Sequence, residues 1–289
     1  MKRITILLLT AAMAIGMSGA APREHQTATL EVTYRYEHAL PQVDTIKYRS
    51  DEMLLQVAPD ESRYFSIKTE FYDSLKASPG GSELINNMVM DALNKSGGIK
   101  TDSDGKILSI TVNKDAMADV PRRGELVNVY KYPALNSMTV YYGVSGPDDI
   151  LYTWDMPVDE IVWEPGDSTT YVLGYECQNA VADYHGRRWV AWYAPDIPAS
   201  DGPWQLCGLP GLILSAESEG GEYRFTATAV NECKRQIKDM PGNHEIEKCD
   251  RKDFRRLEAD VTANPGKGYG VVATNAAKIY HDLIETDYK

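Results

Sequence analysis

Thr29-Leu30-Glu31-Val32-Thr33-Tyr34-Arg35-Tyr36 alternates side chains without a break. Successive side chains of a strand point to opposite faces, so the octet predicts a half-buried strand with Leu30, Val32, Tyr34 and Tyr36 inward. The same period returns at Tyr223, Phe225, Ala227 and Ala229, with Arg224, Thr226 and Thr228 between them. Residues 126–142 and 171–193 are rich in Val, Tyr, Thr and Trp, and 18 tyrosines against 4 phenylalanines suit pleated surfaces wetted on one face. Asp104-Gly105, between Ile99 and the alternation Leu108, Ile110, Val112, predicts a hairpin.

Helical signals are fewer. Ser82 caps a predicted helix whose Leu84, Ile85, Met88, Val89, Ala92 and Leu93 share one face until Gly97-Gly98 ends it, and this helix is expected to lie against the sheet. Phe254, Leu257 and Val261 predict a second helix, and Ala276, Tyr280, Leu283 and Ile284 a terminal one. The mixed charges of residues 234–252 read as a solvated connection, with a domain split near 240–250 as the alternative. There is no internal repeat. The expected fold is a single α+β domain, β-rich, built on a curved antiparallel sheet of which a half-barrel is one form, with a few packed helices.

With 289 residues, 43% of them hydrophobic and 25% charged, the chain has the composition of a globular protein with a sizeable core. Forty-two acidic against 30 basic residues give a net charge of −12, which argues against nucleic-acid partners. Lys2 and Arg3, an apolar run over 4–17 and Ser18-Gly19-Ala20 predict a signal peptide over 1–20 and a mature domain over 21–289. No second long apolar run follows, so no transmembrane segment is expected after cleavage. In an oxidising compartment Cys177, Cys207, Cys233 and Cys249 are expected to pair. Three pairings exist, and the short loops favour Cys177–Cys207 with Cys233–Cys249. Without CxxC or close Cys/His spacing no metal is expected, and Asp102-x-Asp104-Gly105 fails as a calcium loop because Lys100 and Thr111 occupy ligand positions.

Gly208-Leu209-Pro210-Gly211-Leu212-Ile213 lies in a longer pattern: Tyr175-x-Cys177, Gly186-Arg187, Trp192-Tyr193, Ile197-Pro198 and Gly202-Pro203-Trp204. Over residues 171–230 the chain closely resembles the GLPGLI family of exported Bacteroidetes proteins. Gln205 and Asn179 depart from it, standing where many members have lysine. The resemblance implies a β-rich fold and export to the periplasm, outer membrane or exterior of a Gram-negative cell; it brings no known activity and no cofactor.

Pro210-Gly211 has the residues of a type II turn leading into a buried strand at Leu212-Ile213-Leu214. Pro195, Pro198 and Pro203 remove backbone donors upstream, so 195–211 is expected to be a rigid irregular lip carrying Trp204. Arg187, Trp192, Tyr193, Pro203, Trp204, Leu209 and Pro210 are therefore the candidate residues for a ligand or partner. Strand register favours core packing for Trp192, whereas Trp204 fits either core or lip. HExxH, GxSxG and phosphate-loop patterns are absent, and the five histidines have no ligand spacing. The leading expectation is a non-catalytic envelope protein that binds a lipophilic or peptide ligand or a protein partner. Two alternatives stand beside it: a hydrolase using His185, Arg187 and Asp196, and a scaffold without a small ligand. His185-Gly186 also reads simply as a turn between strands. An apolar cavity on the concave face of the sheet would favour the carrier, and a filled face the scaffold.

Overall fold

The computed structural model describes residues 24–40, 47–105, 107–144, 150–263 and 283–288. The predicted signal peptide, Ala276 and Tyr280 lie outside them. The chain forms β1 (Thr27–Leu40), β2 (Lys47–Val57) and β3 (Ser62–Ser66), then helices α1 (Ile67–Ala77) and α2 (Gly81–Lys95). A small hairpin of β4 (Ile99–Thr101) and β5 (Ile107–Ile110) follows. Next come β6 (Val127–Tyr132), β7 (Ser137–Gly143), β8 (Ile150–Met156) and β9 (Glu164–Val172). The rest is β10 (Tyr175–Tyr184), β11 (Arg187–Ala194), β12 (Leu212–Ser218), β13 (Tyr223–Gln236), β14 (Glu245–Lys248) and α3 (Arg251–Ala263).

Twelve strands make one sheet in the order β14-β8-β7-β6-β3-β2-β1-β13-β12-β11-β10-β9, antiparallel except for the parallel pair β14–β8. Its edges, β14 and β9, are not paired with each other, so the sheet curves without closing. Register shifts at Ala28/Leu30, Thr33/Tyr34 and Trp192/Tyr193 are bulges, the usual device for bending a sheet. The inner face carries the predicted alternation: Val32, Tyr34 and Tyr36 from β1, and Tyr223, Phe225 and Ala227 from β13, are buried in one core. The Asp104-Gly105 hairpin and the helix around Phe254 are present as read. No helix among the described residues is long and apolar enough to cross a membrane.

Four expectations need correction. Ser82 is not a cap: Gly80 holds that position in the left-handed region, and Ser82 Oγ donates back to Lys76 O at 3.2 Å. Nor does α2 lie on the sheet; it packs on α1, which meets β2 and β3, and Leu84 of its apolar face is 50% exposed. Leu283 and Ile284 are buried but not helical. The connection over 234–252 is solvated as read, but it also contributes the exposed edge strand β14 and a buried Ile237.

The four cysteines are free. Cys177 Sγ faces Tyr175 O, whereas Cys207 Sγ lies against Val158 O and Gln205 O. Cys233 packs beside Tyr130 and Ile237 in a small second cluster, and Cys249 packs against the main core. Loop length set the expected pairing, but closeness in sequence does not pair the sulfurs: Cys177 lies on β10 and Cys207 in the 195–211 connection, and Cys233 and Cys249 pack against different clusters.

Candidate functional site

Residues 195–211 do form one irregular connection, but it is turned inward. Asp201 to Cys207 are all buried, and Trp204 is 1% exposed. The Trp204 ring packs 5.7 Å from Trp189, 5.9 Å from Tyr184 and 6.4 Å from Phe225. Lys131 on β6 reaches across the concave face, donating to Asp201 Oδ1 at 2.6 Å and to Gly202 O at 2.7 Å. Tyr34 Oη donates to Ile213 O at 2.6 Å. The expected rigid lip is thus a plug packed into the curved sheet, held from β6 by Lys131 and from β12 by Ile213 N, which donates to Asp201 O at 2.9 Å.

Gly208-Leu209-Pro210-Gly211-Leu212-Ile213 ends that plug. Gly211 N donates to Leu209 O at 2.8 Å, so the turn spans three residues around Pro210 and is not the type II turn expected. Gly211 has φ +150°, and a Cβ there would stand 2.3 Å from Ala194 O. Glycine is required because the chain passes directly over the end of β11. A Cβ on Gly208 would only touch the Trp163 ring at 3.9 Å, but φ +93° is the left-handed region that glycine tolerates best.

The other candidates divide by strand parity. Trp189, Ala191 and Tyr193 point inward, and Tyr193 Oη donates to Gln178 Oε1 at 2.9 Å. Trp192 faces the other way and is half-buried. Trp204 is therefore core, one of the two readings open to it, whereas Trp192, expected in the core, borders solvent. Pro203 and Leu209 are buried, and Pro210 is exposed. His185 and Arg187 stand at the start of β11 and Asp196 beyond its far end, so the structure does not bring the three together. Asp196 is exposed in the turn after β11, while His185 and Arg187 hold the C-terminal segment 283–288.

That clasp was not visible in the sequence. His185 and Gly186 have φ +50° and +81°, the two-residue turn between β10 and β11. Arg187 donates to Leu283 O at 2.8 Å and Ile284 O at 3.0 Å, and pairs with Glu222. Thr286 N donates to His185 O at 2.9 Å. From α3, Arg251 forks onto Asp287 at 2.8 and 2.7 Å and meets Glu285 at 2.5 Å, while Arg255 meets Glu285 at 2.6 Å. Gln205, a departure from the family pattern, links Tyr184 to Glu285. Burial raises the Glu285 carboxyl, but the two arginines outweigh it and hold the group down at about 2. Burial lowers His185 to about 4. His185, Glu285 and Asp287 offer ligand atoms within 4.8 Å of one another, yet both carboxylates are already engaged by guanidinium groups. The donor set is that of an ion-pair network rather than of a metal centre.

A second feature is a cavity of about 250 Å³ on the flank of the sheet, between α1, β6 to β8 and residues 240–244. Its walls carry Arg49, Glu70, Asp73, Arg123, Tyr141 and His244. Arg123 meets Asp73 at 2.6 Å, Arg63 forks onto Glu70 at 3.1 and 2.6 Å, and His244 Nε2 lies 3.6 Å from Asp73. The charges of the wall are largely compensated within it. Sequence periodicity missed this site because α1 is anchored by ion pairs and not by an apolar stripe.

Residues 184–215 match the family model described as "Protein of unknown function (Porph_ging)". The matched stretch contains the His185-Gly186 turn, β11, the plug and the start of β12. No curated protein matches the chain. Two solved chains, named "Structure of PNGF-II in P21 space group" and "Structure of PNGF-II in C2 space group", are similar to it at TM-score 0.47 and 16% identity. They cover 80% of this chain, which spans 33% and 32% of their lengths.

Proposed function

We propose that this is an exported, non-catalytic envelope protein of the GLPGLI type that serves as a scaffold engaging a protein partner, and not as a carrier of lipophilic ligands. The filled concave face carries this reading: the space a lipid would need is occupied by Trp204, Leu206, Leu209 and the aromatic residues of β1, β11 and β13. The signal-like N-terminus and the resemblance over 171–230 support export. A partner is favoured over a passive scaffold by the insertion between β3 and β6. There Phe71 is 61% exposed, Met90 49%, Leu108 65% and Val112 59%, apolar side chains with no role in the domain's own core.

The test is cross-linking in the native envelope followed by purification, with lipid and protein mass spectrometry of what is retained. One protein partner is expected, and its capture should fall by about tenfold, or ~1.4 kcal/mol, in Phe71→Asp/Met90→Asp while the melting temperature stays within a few degrees. A lipid retained one-to-one, or capture untouched by the double substitution, would overturn the reading.

A further inference from the structure

The clasp on residues 283–288 has the chemistry of a peptide site. Its floor is the backbone of the His185-Gly186 turn, where a Cβ on Gly186 would stand 2.4 Å from Thr286 Oγ1 and 2.8 Å from Asp287 N. The segment it holds is not a strand of the sheet. It is fixed by main-chain bonds at Leu283, Ile284 and Thr286, by apolar seating of Ile284 in the core, by the Arg251 fork on Asp287, and by single contacts from Arg251 and Arg255 on the two oxygens of Glu285. These are the ordinary elements of extended-peptide recognition: backbone bonds supply affinity, and side chains at fixed spacing supply specificity.

The main holding groups come from separate elements, the β10–β11 turn with Arg187 at the start of β11, and α3, with Gln205 of the plug adding a contact to Glu285. Among the described residues, the contacts that hold the segment fall on Leu283, Ile284, Glu285, Thr286 and Asp287. Arg255 also keeps Glu258 at 2.7 Å, so departure of the segment leaves that guanidinium with a carboxylate partner.

We propose that His185, Gly186, Arg187, Arg251 and Arg255 form a binding site for an acidic peptide of the pattern aliphatic-aliphatic-Glu-x-Asp. The chain's own Leu283-Ile284-Glu285-Thr286-Asp287 is its tethered occupant. The site is separate from the apolar surface of the β3–β6 insertion and stands whether or not that surface binds a partner. A partner bearing the motif competes with the resident segment, and the tether sets how strong that competitor must be.

The experiment uses the full-length chain and a fluorescein-labelled peptide of residues 283–289. Glu285→Gln/Asp287→Asn in the chain weakens the resident segment without altering the cradle. Fluorescence anisotropy should show the peptide binding this variant about tenfold or more tighter than the wild-type chain, because the competent fraction of sites rises. A peptide carrying the same two substitutions should not bind. Equal binding to both chains, or none to a folded variant, overturns the proposal. If the variant does not fold, hydrogen exchange on the wild-type chain decides. The Thr286 amide should exchange through local opening about a hundredfold or more faster than the amides of β13. Exchange of both only by global unfolding would make the segment an integral part of the core and end the proposal.

Discussion

Trp204 sits in the left-handed region at φ +53° with its ring stacked on Phe225 and tilted on Trp189, so a strained backbone delivers a large side chain into the core. Trp204→Ala is expected to destabilise the fold by about 3–5 kcal/mol in urea titration, the range for emptying a buried aromatic site. Trp192→Ala, on the half-buried opposite face of β11, should cost clearly less, about 1–2 kcal/mol. Equal losses would refute the assignment of Trp204 to the core and Trp192 to the outer face. The sequence held part of this answer: Trp189 and Trp192 are three apart on one strand and must face opposite sides. What it lacked was the direction in which Trp204 leaves its backbone.

At the level of elements, the clasp gives the tail a defined response to acid. His185 is lowered to about 4 by burial, below its ordinary 6.5, so the folded chain binds fewer protons than the unfolded one between those values. The stabilisation is fully present above pH 6.5 and is lost as pH falls toward 4. Glu285, held at about 2 against 4.5, acts in the same direction between pH 4.5 and 2. The facing groups Arg251, Arg255 and Asp287 keep their charges across the upper window. Thr286 amide protection should therefore fall on acidification from pH 7 to 4, and His185→Gln should flatten the upper part of that decline. Protection independent of pH in the wild-type chain would refute the assignment. The strands behind this clasp were legible from alternation and from His185-Gly186. The clasp itself was not, because it joins a turn to carboxylates about 100 residues away and no periodicity spans that separation.

For the whole molecule, the order of the strands explains how one curved sheet becomes a filled body. β7 and β8 receive Phe254 of α3 at 5.4 and 5.2 Å from Tyr142 and Trp154, while Arg251 and Arg255 on that helix reach the segment held by β10 and β11. α3 and the tail thereby link distant strands of the sheet across its concave side. With that link and the plug in place, covalent cross-links are not needed. Burial also holds the two core thiols protonated, pushing Cys207 up to about 11 and raising Cys177. The purified protein is expected to yield four free thiols after denaturation without reductant, and its melting temperature should not change with dithiothreitol. A disulfide in the non-reduced protein would contradict both.

Local pattern alone determined the strands that alternate, the hairpin at Asp104-Gly105, the helix around Phe254 and the β-rich class, because side-chain period and turn chemistry act over a few residues. Only the tertiary structure decided that 195–211 fills the sheet, that the cysteines stand apart, and that Arg187 and His185 hold the chain's own acidic tail. Those outcomes rest on contacts between segments 70 to 100 residues apart, such as Lys131 with Asp201 and Arg187 with Leu283. Such contacts follow from strand order and curvature, which no single stretch of the chain encodes.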